Sequence, residues 1–324
     1  MRRALALLSV TGAVALTAAG CGDAATAPDA EPAPWTEGPP LPGGRLEPAV
    51  AAVGDALWVV GGLDDGLEVV TDTWILDPGA AAWRPGPATP VALTHANLAA
   101  VGDTLYLLGG LVTRDFVPDG RAWALDPGAT AWRPLAAMPA GAEVGAAAVI
   151  VDGDTVVLAG GSTVDASVAT VLAYDTVGDA WSRRPDLPSP RSHAVGARAP
   201  DGAALVIGGT VGLDALAPLA DVLALAPGAS AWTARAAMPT ARGGCAADVL
   251  AGELWCAGGE AGVAALHVVE VYDLGGDAWR AEAALPVARA GTHGAAIAGA
   301  LWIPGGAYKL AWEPQATVAV LTPP

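Results

Sequence analysis

One phenylalanine, one lysine, four histidines and three cysteines are all that 324 residues contain of these types. Cysteine scarcity leaves only Cys245 and Cys256 after Cys21, so at most one internal disulfide can form. Cations are scarce too. Whole-chain charge is −17, from 16 basic and 33 acidic residues. Without Arg2 and Arg3, which fall in a leader described below, 14 basic residues face 33 acidic ones, or 14 − 33 = −19. A chain this acidic is repelled by nucleic acid and by anionic lipid, which excludes both as expected partners; its charge serves solubility. Beyond the leader no apolar stretch is long enough to span a bilayer, and no segment sustains a helical period. No close-spaced histidine pair offers a metal site, and no cofactor or metal is expected. Asp152-Gly153-Asp154 lacks the further ligands of a calcium loop and reads as a hairpin turn.

What the chain does have is glycine, in pairs. They stand at Gly61-Gly62, Gly109-Gly110, Gly160-Gly161, Gly208-Gly209, Gly258-Gly259 and Gly305-Gly306, at steps of 48, 51, 48, 50 and 47 residues. A period near fifty marks an array of small β-sheets. Other residues keep register with the pairs. Trp83, Trp132, Trp181, Trp232 and Trp279 follow the first five. Asp77, Asp126, Asp175, Ala226 and Asp273 stand six residues before these tryptophans, each after Leu or Tyr. Pro90, Pro139, Pro188, Pro239 and Pro286 stand seven after. Three beyond the proline, Arg191, Arg242 and Arg289 recur, whereas Leu93 and Ala142 occupy that spacing in two repeats.

Each unit reads as four short strands. An alanine-rich run such as 49–53 turns at Gly54-Asp55 into a second run, 57–60, that ends on the glycine pair. A third run, 69–76, is rich in β-branched residues and Trp; Asp77-Pro78-Gly79 then turns into the strand of Trp83. After the sixth pair the chain supplies a third-strand match at 317–321 and stops before a sixth tryptophan. The missing outer strand lies at the other end, where Trp35, Pro42 and Arg45 repeat the same spacing. The expectation is an all-β, six-bladed propeller over 35–324, with four antiparallel strands per blade and an N-terminal outer strand closing the last blade, so that no edge is left unpaired at the seam. Glycines are expected to let backbones approach closely near the axis, and tryptophans to pack between sheets with a partner for each indole N–H.

The double glycine, the Tyr-Asp or Leu-Asp pair, the tryptophan six later and the proline and arginine beyond resemble the Kelch repeat family, over nearly all of Trp35 to Pro324. The resemblance implies a β-propeller whose partners or substrates dock on one face, where the loops after the glycine pairs and the blade-to-blade connections surround the channel mouth.

Residues 1–20 read as a secretory signal: basic Arg2-Arg3, an apolar run 4–15, and a small-residue site at Ala18-Ala19-Gly20. Cys21 directly after it resembles a bacterial lipobox, although Ala18 stands where that pattern usually has Leu. Diacylglyceryl attachment at Cys21 is the expectation, and ordinary cleavage without lipid the alternative. Residues 21–34 would then be the lipidated cysteine and a Pro/Ala tether, the membrane being reached by the lipid anchor alone, and the protein an exported monomer of the bacterial cell envelope.

Candidate ligand-binding residues cluster at the expected mouth. Arg45, Arg191, Arg242 and Arg289 form either a local positive funnel for carboxylates or anionic sugars, or a set of bonds to backbone carbonyls of the neighbouring blade. Arg114 and Phe116 lie in the second loop, with Phe116 read as an exposed aromatic with no core to fill. Tyr308 and Lys309 lie in the sixth. His95 and His193 lie five residues after the register proline and read as structural rather than catalytic, being two blades apart; His293 and His267 are off that register. Cys245 and Cys256 are diagonal neighbours across one hairpin, open to a disulfide or to two buried thiols. Three functions stand, one of them a structural role as a spacer or assembly part of a surface complex. The first is an envelope-tethered scaffold that binds a protein or glycan on the loop face. The alternative is a carbohydrate-active enzyme resembling the sialic acid mutarotases, with the mouth arginines binding the anion and Glu47 or Glu260 moving protons. A galactose-oxidase-like copper route is disfavoured by the placement of the four tyrosines and of the cysteine pair.

Overall fold

The computed structural model describes residues 35–212, 217–308 and 313–323. The leader, Cys21, the tether and Lys309 lie outside the described residues. Every regular element described is a β-strand; they assemble into six four-stranded antiparallel sheets and two short two-stranded ones, Thr210–Val211 with Ala217–Pro218 and Glu260–Ala261 with Ala264–Ala265, in the loops of blades 4 and 5. Blade 1 runs Ala49–Val53, Ala56–Val60, Thr73–Leu76 and Arg84–Pro85 from the axis outward. Blades 2 to 5 repeat this order. In blade 6 the three inner strands, Ala295–Ile297, Ala300–Pro304 and Val318–Leu321, are completed by Trp35–Glu37, with Trp35 opposite Leu321.

Each repeat residue has a physical task. Six apolar clusters fill the six interfaces between neighbouring blades. Because both faces of every sheet pack, Leu, Val and Ala run almost continuously along the strands. All six register tryptophans donate their indole N–H to a main-chain carbonyl of the preceding blade. Trp83 reaches Pro39 at 2.9 Å, Trp181 reaches Ala136 at 2.8 Å and Trp232 reaches Pro185 at 2.8 Å. Trp35 closes the set on Ala283 at 3.2 Å.

The glycine pairs dock one blade on the next. Gly62 donates to the Leu93 carbonyl at 2.8 Å, Gly161 to Arg191 at 2.8 Å, and Gly306 to Arg45 at 2.7 Å. The first glycine of the pair is left-handed, and a Cβ on Gly61 or Gly160 would stand 2.4 Å from the same carbonyl oxygen. No residue but glycine satisfies both demands.

Blade 3 corrects one register. Its entry loop is longer, and Gly145 rather than Glu143 bridges to the residue after the glycine pair, so Val144, not Ala142, occupies the arginine position. Blade 2 departs in another way. Its middle hairpin runs on through Thr104–Val112 and Val117–Leu125, with a bulge between Leu108 and Gly110.

Candidate functional site

One residue at the head of each inner strand is left-handed: Glu47 (φ 51°), His95 (50°), Ala146 (52°), His193 (53°), Gly244 (59°) and Gly291 (66°). They form a belt around the axis. His95 N–H donates to Glu47 O, Ala146 to His95, His193 to Ala146, Gly244 to His193, and Glu47 to Gly291, at 2.7 to 3.2 Å. Backbone strain at four non-glycine residues is held by these bonds, which over-determine the conformation. Past the belt, the alanine-rich inner strands line a channel cavity of about 330 Å³.

Belt side chains meet across the axis. The His95 and His193 rings lie 5.2 Å apart, edge to face, and His95 Nε2 is 3.7 Å from Glu47 Oε2. Two blades apart in the ring, as the sequence spacing indicates, the two histidines are nevertheless in contact. The axis is so narrow that positions two blades apart at this register face one another. Burial pushes His95 down to about 3, with His293 adding to it. Burial likewise lowers His193 to about 4, against the opposing pull of Glu47. Both imidazoles are neutral at physiological pH. Glu260, on the loop side of the belt, is pushed up to about 8, first by burial and then by the Glu47 charge.

The register arginines are elsewhere: of their two readings the positive funnel fails, and the carbonyl bonds are made, within each arginine's own blade rather than to the neighbour. Each guanidinium runs into its own blade. Arg191 bonds the Gly208 carbonyl at 3.1 Å and both oxygens of Asp221. Arg242 bonds Glu270 at 2.5 Å, and also the carbonyl (3.2 Å) and sulfur (3.1 Å) of Cys256. Arg289 bonds the carbonyls of Ile303, Gly305 and Thr317. Arg45 bonds Asp72 at 2.5 Å and stacks on Trp74. All four are buried, and desolvation lowers the pKa of Arg45, Arg242 and Arg289. None of the four register arginines is therefore open to the anion that the sugar enzyme was expected to bind through them. Asp221 and Glu270, the carboxylates that take two of these arginines, were not singled out from the sequence; their place at the head of the third strand opposite the arginine was the available signal.

Phe116 is half-buried rather than exposed. It packs on the Leu46–Leu63–Ala307 cluster, with its ring centroid 5.3 Å from that of His95. Arg114 is exposed and ties its loop to the first one, bonding Gly66 O at 2.5 Å and Glu68 at 2.6 Å. Tyr308 is half-buried, its hydroxyl 2.9 Å from Thr317 Oγ1. Cys245 and Cys256 are joined in a disulfide with Cα atoms 5.6 Å apart. Exposed apolar tips complete the loop face: Val164 is 49 % and Val263 88 % exposed, each at the apex of a loop that follows a glycine pair.

The Kelch motif matches residues 44–90, 144–188 and 241–286, which are blades 1, 3 and 5. These are Kelch repeats. The propeller keeps the same geometry in the blades between, where Leu93 replaces the arginine of blade 2, Ala226 the aspartate of blade 4, and the seam divides blade 6. No curated relative matches the chain.

Proposed function

We propose that this Kelch propeller is a protein-binding scaffold that engages its partner on the loop face and is held in the bacterial cell envelope by lipid on Cys21. The observation that carries the reading is the division of labour in the repeat. Arginines, tryptophans and glycine pairs are spent on holding blades together, while the loops after the glycine pairs differ in every blade and raise Val164 and Val263 into solvent. Rigid sheets presenting variable loops are how scaffolds concentrate recognition, and a set of loops that carries apolar tips in blades 3 and 5 and acidic Asp64, Asp65 and Asp115 in blades 1 and 2 suits a protein surface with a mixed apolar and basic patch. The leader and Cys21 support the envelope placement through the lipobox resemblance.

A photo-crosslinking residue placed at Val164 or Val263 tests the docking face. Val177, 79 % exposed on a turn at the opposite end of the blade, is the control. Discrete cross-linked species from the two loop positions in intact cells, and none from Val177, are expected; equal labelling from all three would defeat the reading. Cys21→Ser should abolish fatty-acid labelling and release the protein from the membrane fraction.

A further inference from the structure

We infer that Glu47, His95 and His193 form a binding site for one divalent transition-metal ion inside the propeller channel. Their ligand atoms, one from each of blades 1, 2 and 4, all lie within 4.8 Å of one another. Around a tetrahedral zinc, with ligand bonds near 2.0–2.1 Å, neighbouring donors stand about 3.3 Å apart, so side-chain rotations of about 1 Å complete the set. The 3.7 Å between Glu47 Oε2 and His95 Nε2 is already close to that spacing.

Hydrogen bonding fixes which imidazole nitrogen is available. Thr94 Oγ1 donates to the Glu47 carbonyl at 3.3 Å, which spends its proton. At 3.2 Å from His95 Nδ1 it therefore accepts, so Nδ1 carries the hydrogen and Nε2 presents a lone pair. His193 repeats the arrangement one residue after Ser192, whose Oγ lies 3.1 Å from Nδ1 and 3.2 Å from Ser167 Oγ. A hydroxyl or carbonyl holding the far nitrogen is the usual outer support of a metal-bound histidine.

The backbone is shaped for the same end. Left-handed geometry at one register directs Glu47, His95 and His193 to a common point. Gly291, the belt residue beside Glu47, leaves room for the carboxylate: a Cβ there would stand 2.8 Å from Glu47 Oε1. Two imidazoles and one carboxylate suit zinc, cobalt or ferrous iron, and three protein ligands leave a coordination position open toward the channel, as in sites that bind an exchangeable water or ligand. The site is independent of the docking face.

Titration of EDTA-treated, desalted protein with cobalt(II) tests this, followed by optical absorption in excess magnesium to occupy surface carboxylates, with zinc competition. Saturation at one equivalent, with d–d bands of a four- or five-coordinate ion that zinc displaces, is expected. Glu47→Gln and His193→Ala should each weaken binding at least 100-fold, while His267→Ala, whose ring is held by the Leu285 carbonyl, leaves it unchanged. Zinc should raise the melting temperature of the wild type and of His267→Ala but not of the two site variants. Absence of stoichiometric binding, or equal affinity in wild type, Glu47→Gln and His193→Ala, overturns the inference. Melting each variant in EDTA separates lost ligands from lost fold.

Discussion

A titration curve should be written into single buried residues of the channel. Glu260 is protonated in the folded state up to about pH 8 but ionises near 4.3 when unfolded. Between those values the native state binds more protons than the unfolded state, so its contribution to stability is present at low pH and is lost as pH rises through 8. His95 and His193 act in the opposite sense: lowered to about 3 and 4, they favour the fold above about 6.5, where the unfolded imidazole is also neutral, and weaken it as pH falls. From pH 6.5 to 8 Glu260 alone is changing among these three. In EDTA, the melting temperature should decline across that interval, and Glu260→Gln should flatten the decline and be the more stable protein at pH 9. The slope corresponds to about 1.4 kcal/mol per pH unit at most. A wild-type profile as flat as that of the variant would refute the assignment. Residue identity at this scale was legible and direction was not. Spacing found Arg45, Arg191, Arg242 and Arg289, but linear order does not say that the side chain two residues before the belt turns into the blade while the belt residue itself turns to the axis. The same gap hid the meeting of His95 with His193.

Strands and turns were the most readable elements, because a hairpin announces itself through Gly-Asp turns and alanine-rich inner runs whose small side chains the narrow axis requires. What the sequence obscured was loop length. Two extra residues ahead of Gly145 shift the blade 3 register from Ala142 to Val144, and nothing in composition marks where an insertion is absorbed. The first hairpin of blade 5 carries a testable addition. Its disulfide closes a loop of sequence separation 11, which in chain-entropy terms is worth about 3 kcal/mol. Reduction, or the Cys245→Ala/Cys256→Ala double substitution, should lower the unfolding midpoint by that order. The Arg242–Glu270 ion pair and the Arg242 contact with Cys256 sulfur place the bond next to a buried charge, so the loosening should spread to the third strand, Val269–Asp273. Hydrogen exchange that accelerates only in the turn at Ala251-Gly252 would argue against that spread.

At the scale of the molecule, closure was readable from a shortage: the sixth outer strand is missing after Leu321 and present at Trp35. Six interfaces of similar apolar content share the load, and the seam differs from the rest only in being stitched by a strand from the far end of the chain. Trp35→Ala removes both an interblade hydrogen bond and part of the blade 5–blade 6 cluster. Amide exchange in Val318–Leu321 should rise well above that in the blade 3 strands Thr155–Ala159 and Val171–Asp175, which should keep wild-type protection. Uniform loosening of all blades would show instead that the ring opens as one cooperative unit rather than at its seam.

That stitch also sets an order of events. Trp35–Glu37 leaves the ribosome before any blade exists, and its partner Val318–Leu321 leaves after five blades can already have formed. The ring is therefore complete only once the last strand of the chain has been made. A chain interrupted before Val318 can build every earlier sheet and still hold an unmatched first strand and an open flank, a row of unpaired N–H and C=O groups that the complete ring does not present at its seam.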